Sequence, residues 1–188
     1  MALRFVVGLG NPGAAYEGSR HNVGFAVLDA LRQAARLPEW RPWQQVAISR
    51  GRLAGVETLL LKPQTFMNLS GEAAGPLLRF YQADVAELIV VHDELDLLPG
   101  VVRLKQGGGD AGHRGLQSLS RHLSADYLRV RVGIGRPPAS RPTADYVLAQ
   151  PRGDEQPLLQ EAQIAAMLAV EAILEHGLSA AMNRTNRR

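Results

Sequence analysis

VVGLGNPGAAYEGSRHN, residues 6–22, places Gly8, Gly10 and Gly13 directly after an apolar run. That is the spacing of a dinucleotide-binding loop, and the reading of the whole chain turns on whether it is one. A dinucleotide fold needs the next helix to begin inside the glycine motif, with its N-terminal amides facing the pyrophosphate. It also needs an acidic residue about 20 positions on, at the end of the following strand. Gly18 and Ser19 interrupt any helix begun at Asn11, and the helical spacing of Val23, Val27, Leu31 and Ala34 starts only near Asn22. Asp29, the acid at the right distance, falls inside that helix. The glycines therefore read as a tight loop that carries Asn11 at the end of a strand, and not as a nicotinamide site.

Outward from this loop, strands and helices alternate. Strands are expected at residues 4–9, 46–50, 56–62, 87–91, 101–105 and 129–135, the last as a half-exposed strand because charged and apolar residues alternate in RVRVGIG. Helices are expected at residues 22–36, around 73–81 with Pro76 as a kink, at 114–123 and at 154–176, with a polar tail NRTNRR at the end. RPPASRP reads as a surface loop. The fold class is α/β: a single-domain sandwich with a twisted mixed, largely parallel sheet flanked by helices. With 188 residues, 46% of them hydrophobic, one domain spanning residues 1–188 is expected.

There is no cysteine, which excludes disulfides, thiolate metal sites and a cysteine nucleophile. No apolar run approaches the length needed to span a bilayer and no signal segment develops, so a soluble cytoplasmic protein is expected. Net charge is only +3 but unevenly spread: Lys and Arg against Asp and Glu number 9 to 10 in residues 1–100, 9 to 3 in residues 101–152, and 0 to 5 in residues 153–176. The local excess fits a nucleic-acid partner.

Polar residues recur where strands end. Asn11 follows the first strand, Asn68 the strand ending at Lys62, Asp93 the run ELIVV and His113 the run VVRLK, while His21 precedes the first helix. In open α/β sheets such loops meet in one crevice outside the carboxyl ends of the strands. Imidazoles, a carboxylate and amides together are a set that activates water: the imidazole takes the proton, the carboxylate holds its tautomer, and the amides orient water or stabilise an oxyanion. Plainer roles stand beside these: Asn68 as a helix cap, Glu94 and Asp96 as turn formers or solvated groups, His92 as a buried hydrogen-bonded ring, His122 and His176 as surface residues. GxSxG is absent, and Ser19, Ser49, Ser70 and Ser118 lack the elbow of a serine esterase.

GLGNPG with Tyr16 and RHNVG, then KPQTFMNLSG, VVHDELDLLPG, LKQGGGDAGHRGL and RVRVGIGRP resemble, in this order and over nearly the whole chain, the bacterial peptidyl-tRNA hydrolases. The resemblance implies hydrolysis of the ester joining a peptide to tRNA, without metal or cofactor, by a cytoplasmic monomer that has no obligate protein partner and no membrane association. It implies His21 as the general base, Asp93 as the group orienting it, and Asn11 and Asn68 as the amides that hold substrate, water and tetrahedral intermediate. Tyr16 and Met67 match positions lining the peptidyl and terminal adenosine site, and His113 a further active-site residue. Lys105 and Arg131 match a basic pair that clamps a tRNA phosphate, and Arg103 a position that is basic in relatives. Arg114 departs from the family, whose best-known members carry Asn there; it is expected either to reach a tRNA phosphate or to pair with Asp110 or another nearby carboxylate. Two alternatives come from other classes: a metal-dependent hydrolase using His92, Asp93, Asp96 and His113, which lack a recognised ligand spacing, and a noncatalytic RNA-binding relative of the same fold.

Overall fold

A computed structural model describes residues 2–187. The chain forms β1 (Arg4–Gly8), α1 (Val23–Ala34), β2 (Arg41–Trp43), β3 (Val46–Leu53), β4 (Val56–Pro63), α2 (Ser70–Phe80), β5 (Ile89–Glu94), β6 (Val102–Gln106), α3 (Arg114–His122), β7 (Leu128–Gly133), α4 (Thr143–Leu148), α5 (Glu155–His176) and α6 (Leu178–Thr185). Seven strands make one sheet in the order β2-β3-β4-β1-β5-β7-β6. The four central strands β4, β1, β5 and β7 pair in parallel, while the β2–β3, β3–β4 and β6–β7 pairings are antiparallel. The sheet is thus mixed, with its parallel part confined to the centre.

Side chains of the central strands alternate between two apolar layers. Val6, Leu60, Ile89, Val91, Val130 and Val132 pack with α1 and α5. Phe5, Val7, Leu59, Leu61 and Val90 face the other way, towards α2 and α3. Burial on both faces is why these strands read as continuous apolar runs. From β1 the chain leaves towards α1 on one face, and from the neighbouring β4 towards α2 on the other, so a crevice opens between their carboxyl ends.

The opening glycines serve this packing. A Cβ on Gly8 would lie 2.5 Å from the carbonyl oxygen of Gly24, so β1 and α1 touch backbone to backbone at that point. Gly13 holds a φ of 105°, a conformation L side chains rarely adopt, and turns the chain after Asn11.

Three expectations need correction. RVRVGIG is not half-exposed: β7 lies between β5 and β6, and Arg129 is only 3% exposed. The polar tail begins inside a helix: residues 178–185 form α6, and Asn186 pairs its side-chain amide with the backbone N–H and C=O of Leu104 at 2.8 and 3.1 Å, covering the edge of β6. Finally, α5, with 22 residues and a mean hydropathy of 1.3 over its most apolar window, is long and apolar enough to cross a membrane. Its apolar character is used in the core, where Leu159, Ala162, Ala166, Ala169, Val170 and Ile173 are buried against the sheet and α1.

Candidate active site

The loops after β1, β4 and β5 and the loop leading into α3 meet around an open pocket of about 540 Å³. Asn11, Tyr16, His21, Met67, Asn68, Asp93, His113 and Arg114 all line it, so eight of the eleven site residues expected from sequence are brought together. The crevice is tied across by Asn11, whose side-chain oxygen accepts the Met67 N–H at 2.7 Å. Asn11 is itself gripped by Asn22, which accepts the Asn11 N–H and donates to the Asn11 carbonyl, both at 2.8 Å. Asn68 caps neither its short 3-10 turn nor α2, and it is exposed to the pocket.

Asp93 is the centre of the site. It is 2% exposed, and each carboxylate oxygen meets one imidazole at 2.8 Å: Oδ2 meets His21 Nδ1 and Oδ1 meets His113 Nε2. Burial alone would raise the pKa of Asp93, but the charges and hydrogen bonds of the two imidazoles hold it well below the ordinary carboxylate range. An ionised carboxylate only accepts, so both ring nitrogens that face it donate.

The two rings then differ in what remains. His113 Nδ1 accepts the N–H groups of Gly115 and Leu116 at 3.2 and 3.3 Å, capping the N-terminus of α3, so its lone pair is already engaged. Among the described residues His21 Nε2 has no hydrogen-bond partner, so it keeps its lone pair at the pocket. Burial opposes the charged form of His21, but the Asp93 carboxylate outweighs it, so the His21 pKa lies above 6.5. Of the pair, His21 is therefore the ring whose lone pair is open to the pocket, while the lone pair of His113 is taken up by the start of α3.

His92 has a different character. It is buried, donates from Nδ1 to the Asp93 backbone carbonyl at 2.8 Å, and leaves Nε2 without a partner among the described residues. Burial pushes its pKa down to about 3. The metal quartet expected as an alternative does not assemble, because His92 is turned to backbone and Asp96 forms an ion pair with Arg136. The nearest donor cluster among the described residues is His21, Asp93 and His113, whose mutually facing atoms are joined by hydrogen bonds. Ser19, Ser49, Ser70 and Ser118 are all buried.

Sequence inspection missed several residues of the site. Phe66, 58% exposed, stands edge-on to Tyr16 with ring centres 6.4 Å apart and forms an apolar wall. Val147 and Leu148 of α4 form another. Arg20, 4% exposed and next to His21 in sequence, donates to the carbonyls of Tyr146 and Ala149 and pairs with Glu155 at 2.5 Å, so it fixes the turn carrying His21 against α4. Phe66 lies within the motif TFMN, but no local signal marks Arg20, whose partners are more than 100 residues away in sequence.

Arg103, Lys105 and Arg131 lie outside the pocket, on the adjoining face of β6 and β7, where Arg103 stands opposite Arg131. Arg131 is bound at 2.6 Å by Glu94, which is therefore neither a turn former nor merely solvated. Lys105 and Arg114 have no carboxylate within ion-pair distance among the described residues, so the expected pairing of Arg114 with Asp110 is not formed. Asp110 instead accepts the N–H of Gly112 at 3.0 Å.

A sequence model of the family described as peptidyl-tRNA hydrolase matches residues 5–188. The chain belongs to the peptidyl-tRNA hydrolase family. A peptidyl-tRNA hydrolase of Rhodococcus erythropolis is 50% identical over 182 residues, 95% of each chain. One from Cereibacter sphaeroides is 52% identical over 146 residues, 78% of this chain but only 65% of that relative's length. The crystal structure of the Acinetobacter baumannii family member superposes with a TM-score of 0.92 at 35% identity, over 98% of this chain and 94% of that one. The match in fold extends to the sheet and helices that deliver the site.

Proposed function

We propose that this chain cleaves the ester between a peptide and the 3′ end of tRNA with a water molecule activated by His21. The observation that carries this is the division of labour around Asp93: two imidazoles share one carboxylate, and only His21 presents a lone pair to the pocket. His21 Nε2 takes a proton from water as the oxygen attacks the ester carbonyl, and Asp93 steadies the imidazolium that results. When the tetrahedral intermediate breaks its bond to the ribose oxygen, the same proton passes to that oxygen and releases tRNA. Asn11 and Asn68 hold substrate, water and the oxyanion. Tyr16, Met67 and Phe66 line the space for the peptidyl group and terminal adenosine. An ester is already activated relative to an amide, so no protein nucleophile is required.

Lys105, Arg131 and Arg103 engage the tRNA backbone, and Lys105 and Arg103, which have no carboxylate partner among the described residues, are more available to a phosphate than Arg131, which Glu94 holds. Arg114 at the pocket rim reaches a phosphate of the acceptor end. The protein acts as a cytoplasmic monomer without an obligate partner. The test is incubation with N-acetyl-aminoacyl-tRNA beside free aminoacyl-tRNA. Turnover of the first, little of the second, and loss of both with His21→Ala support the proposal. Binding without turnover marks a noncatalytic RNA-binding relative.

A further inference from the structure

The glycine loop between β6 and α3, residues 107–113, rests on a buried cation. Arg129 is 3% exposed and has no carboxylate within ion-pair distance among the described residues. Its guanidinium is solvated by main-chain oxygens, donating to the carbonyls of Gly109 at 2.5 Å, Gly108 at 2.8 Å and Ala125 at 3.5 Å. A buried charge without an ionic partner is costly, and two successive carbonyls aimed at one guanidinium determine which way the loop faces. In a trans peptide unit the N–H points opposite to the C=O. With the carbonyls of Gly108 and Gly109 turned inward to Arg129, the N–H groups of Gly109 and Asp110 turn outward. Neither has a hydrogen-bond partner among the described residues.

A third donor lies against the preceding residue of the loop, Gly108. Lys105 stands opposite Arg129 in the β6–β7 ladder, and its ammonium lies against Gly108, where a Cβ would be 2.6 Å from Nζ. Gly108 has a φ of 102°, so only glycine both allows this bend and leaves room for the ammonium. The Asp110 carboxylate, the one acid on the loop, is bound back to the Gly112 N–H.

The geometry points to a phosphate-binding nest formed by the Gly109 and Asp110 N–H groups together with Lys105 Nζ, with Arg129 as the positioning residue that holds the loop's amides outward. Successive outward amides form anion-binding concavities, and a cation beneath them deepens the positive potential. The ligand is a phosphate of the RNA substrate. The inference rests on the proposed role of Lys105 in phosphate binding and adds main-chain donors and Arg129 to it.

The test is a titration of ¹⁵N-labelled protein with an uncharged tRNA acceptor-stem minihelix. The amide protons of Gly109 and Asp110 should move downfield along the binding isotherm. Lys105→Ala should weaken binding and reduce the log–log salt slope by about one. Arg129→Lys keeps the charge, but its single ammonium lacks the planar fork that spans both carbonyls. It should weaken binding about tenfold, the worth of one charge-assisted contact, and abolish the downfield response. Stationary Gly109 and Asp110 amides, with Lys105→Ala still weakening binding, would overturn the nest while leaving the Lys105 contact standing. Binding indifferent to both Lys105→Ala and Arg131→Ala would instead remove the phosphate contact itself. Should Arg129→Lys lower the melting temperature yet bind normally, Arg129 is only structural and the inference fails.

Discussion

Replacing Asp93 by asparagine changes one atom and should disable the base. The carboxylate accepts from two imidazoles at once, one on each oxygen. A carboxamide has one acceptor and one donor group, so one ring must turn its lone pair towards the amide NH₂. If His113 gave way, its Nδ1 would carry a proton facing the N–H groups of Gly115 and Leu116, losing two hydrogen bonds at the start of α3. His21 has no such tie on its other nitrogen. Two lost hydrogen bonds amount to about 1–3 kcal/mol, so the arrangement that leaves His21 correctly protonated is populated at roughly one part in 5 to one part in 150. Loss of the negative charge that steadies the imidazolium comes on top, bringing the expected fall in rate to about 10²–10⁴, the range of general base catalysis itself. Single-turnover cleavage of N-acetyl-aminoacyl-tRNA at saturating enzyme measures it, with affinity for substrate little changed. The same geometry makes a second demand: in Asp93→Asn/His113→Ala the amide oxygen is free to face His21, so the double variant should cleave faster than Asp93→Asn alone. An Asp93→Asn enzyme within fivefold of the parent, or a double variant no faster than the single, refutes the shared-carboxylate mechanism.

Other consequences are open to measurement. Arg114→Asn should raise KM for full-length tRNA more than it lowers kcat and reduce the salt slope by about one contact; an unchanged slope means that Arg114 meets no phosphate. Glu94→Gln releases Arg131 from its ion pair and should tighten tRNA binding severalfold while steepening its salt dependence; unaltered binding excludes Arg131 from the interface. Because Asp93 holds the His21 pKa above 6.5, the acid limb of kcat/KM should have its midpoint above 6.5 and move down in Asp93→Asn. His92 makes the fold sensitive to acid. Its pKa is about 3 when folded and 6.5 when unfolded, so the unfolded chain binds the extra proton between these values and stability falls as pH drops from 6.5 towards 3, by up to about 1.4 kcal/mol per pH unit. Urea unfolding at a series of pH values should show that slope, and His92→Gln should flatten it between pH 6.5 and 4.5; Glu155 adds to it only below 4.5 and Asp93 only below 3.8, and His21 acts with the opposite sign above 6.5.

By itself the sequence determined whatever is written in local periodicity. Apolar runs ended by Gly, Pro or polar clusters marked six of the seven strands, and the late start of the helix at Val23 ruled out a dinucleotide loop. Polar residues after β1, β4 and β5 were enough to predict one crevice, because parallel strands bring their carboxyl ends to one side, whereas β6 runs antiparallel and His113 joins them only because the loop after it climbs back to the start of α3. β2, with three residues, was too short to leave a pattern. Arg129 looked solvent-facing because alternation reports which way a side chain points, and not whether a loop folds over it. α5 shows the same gap from the other side: its apolar content matches a membrane span, and only its contacts place it in a core. Tertiary structure alone shows which of the two imidazoles keeps a free lone pair at the pocket. His21 and Asp93 are 72 residues apart and Asp93 and His113 are 20, and the hydrogen bonds that assign one lone pair to the pocket and the other to α3 depend on atoms that no spacing rule relates. Protonation is set by the whole network of neighbours in space, so it becomes legible only when the chain has closed on itself.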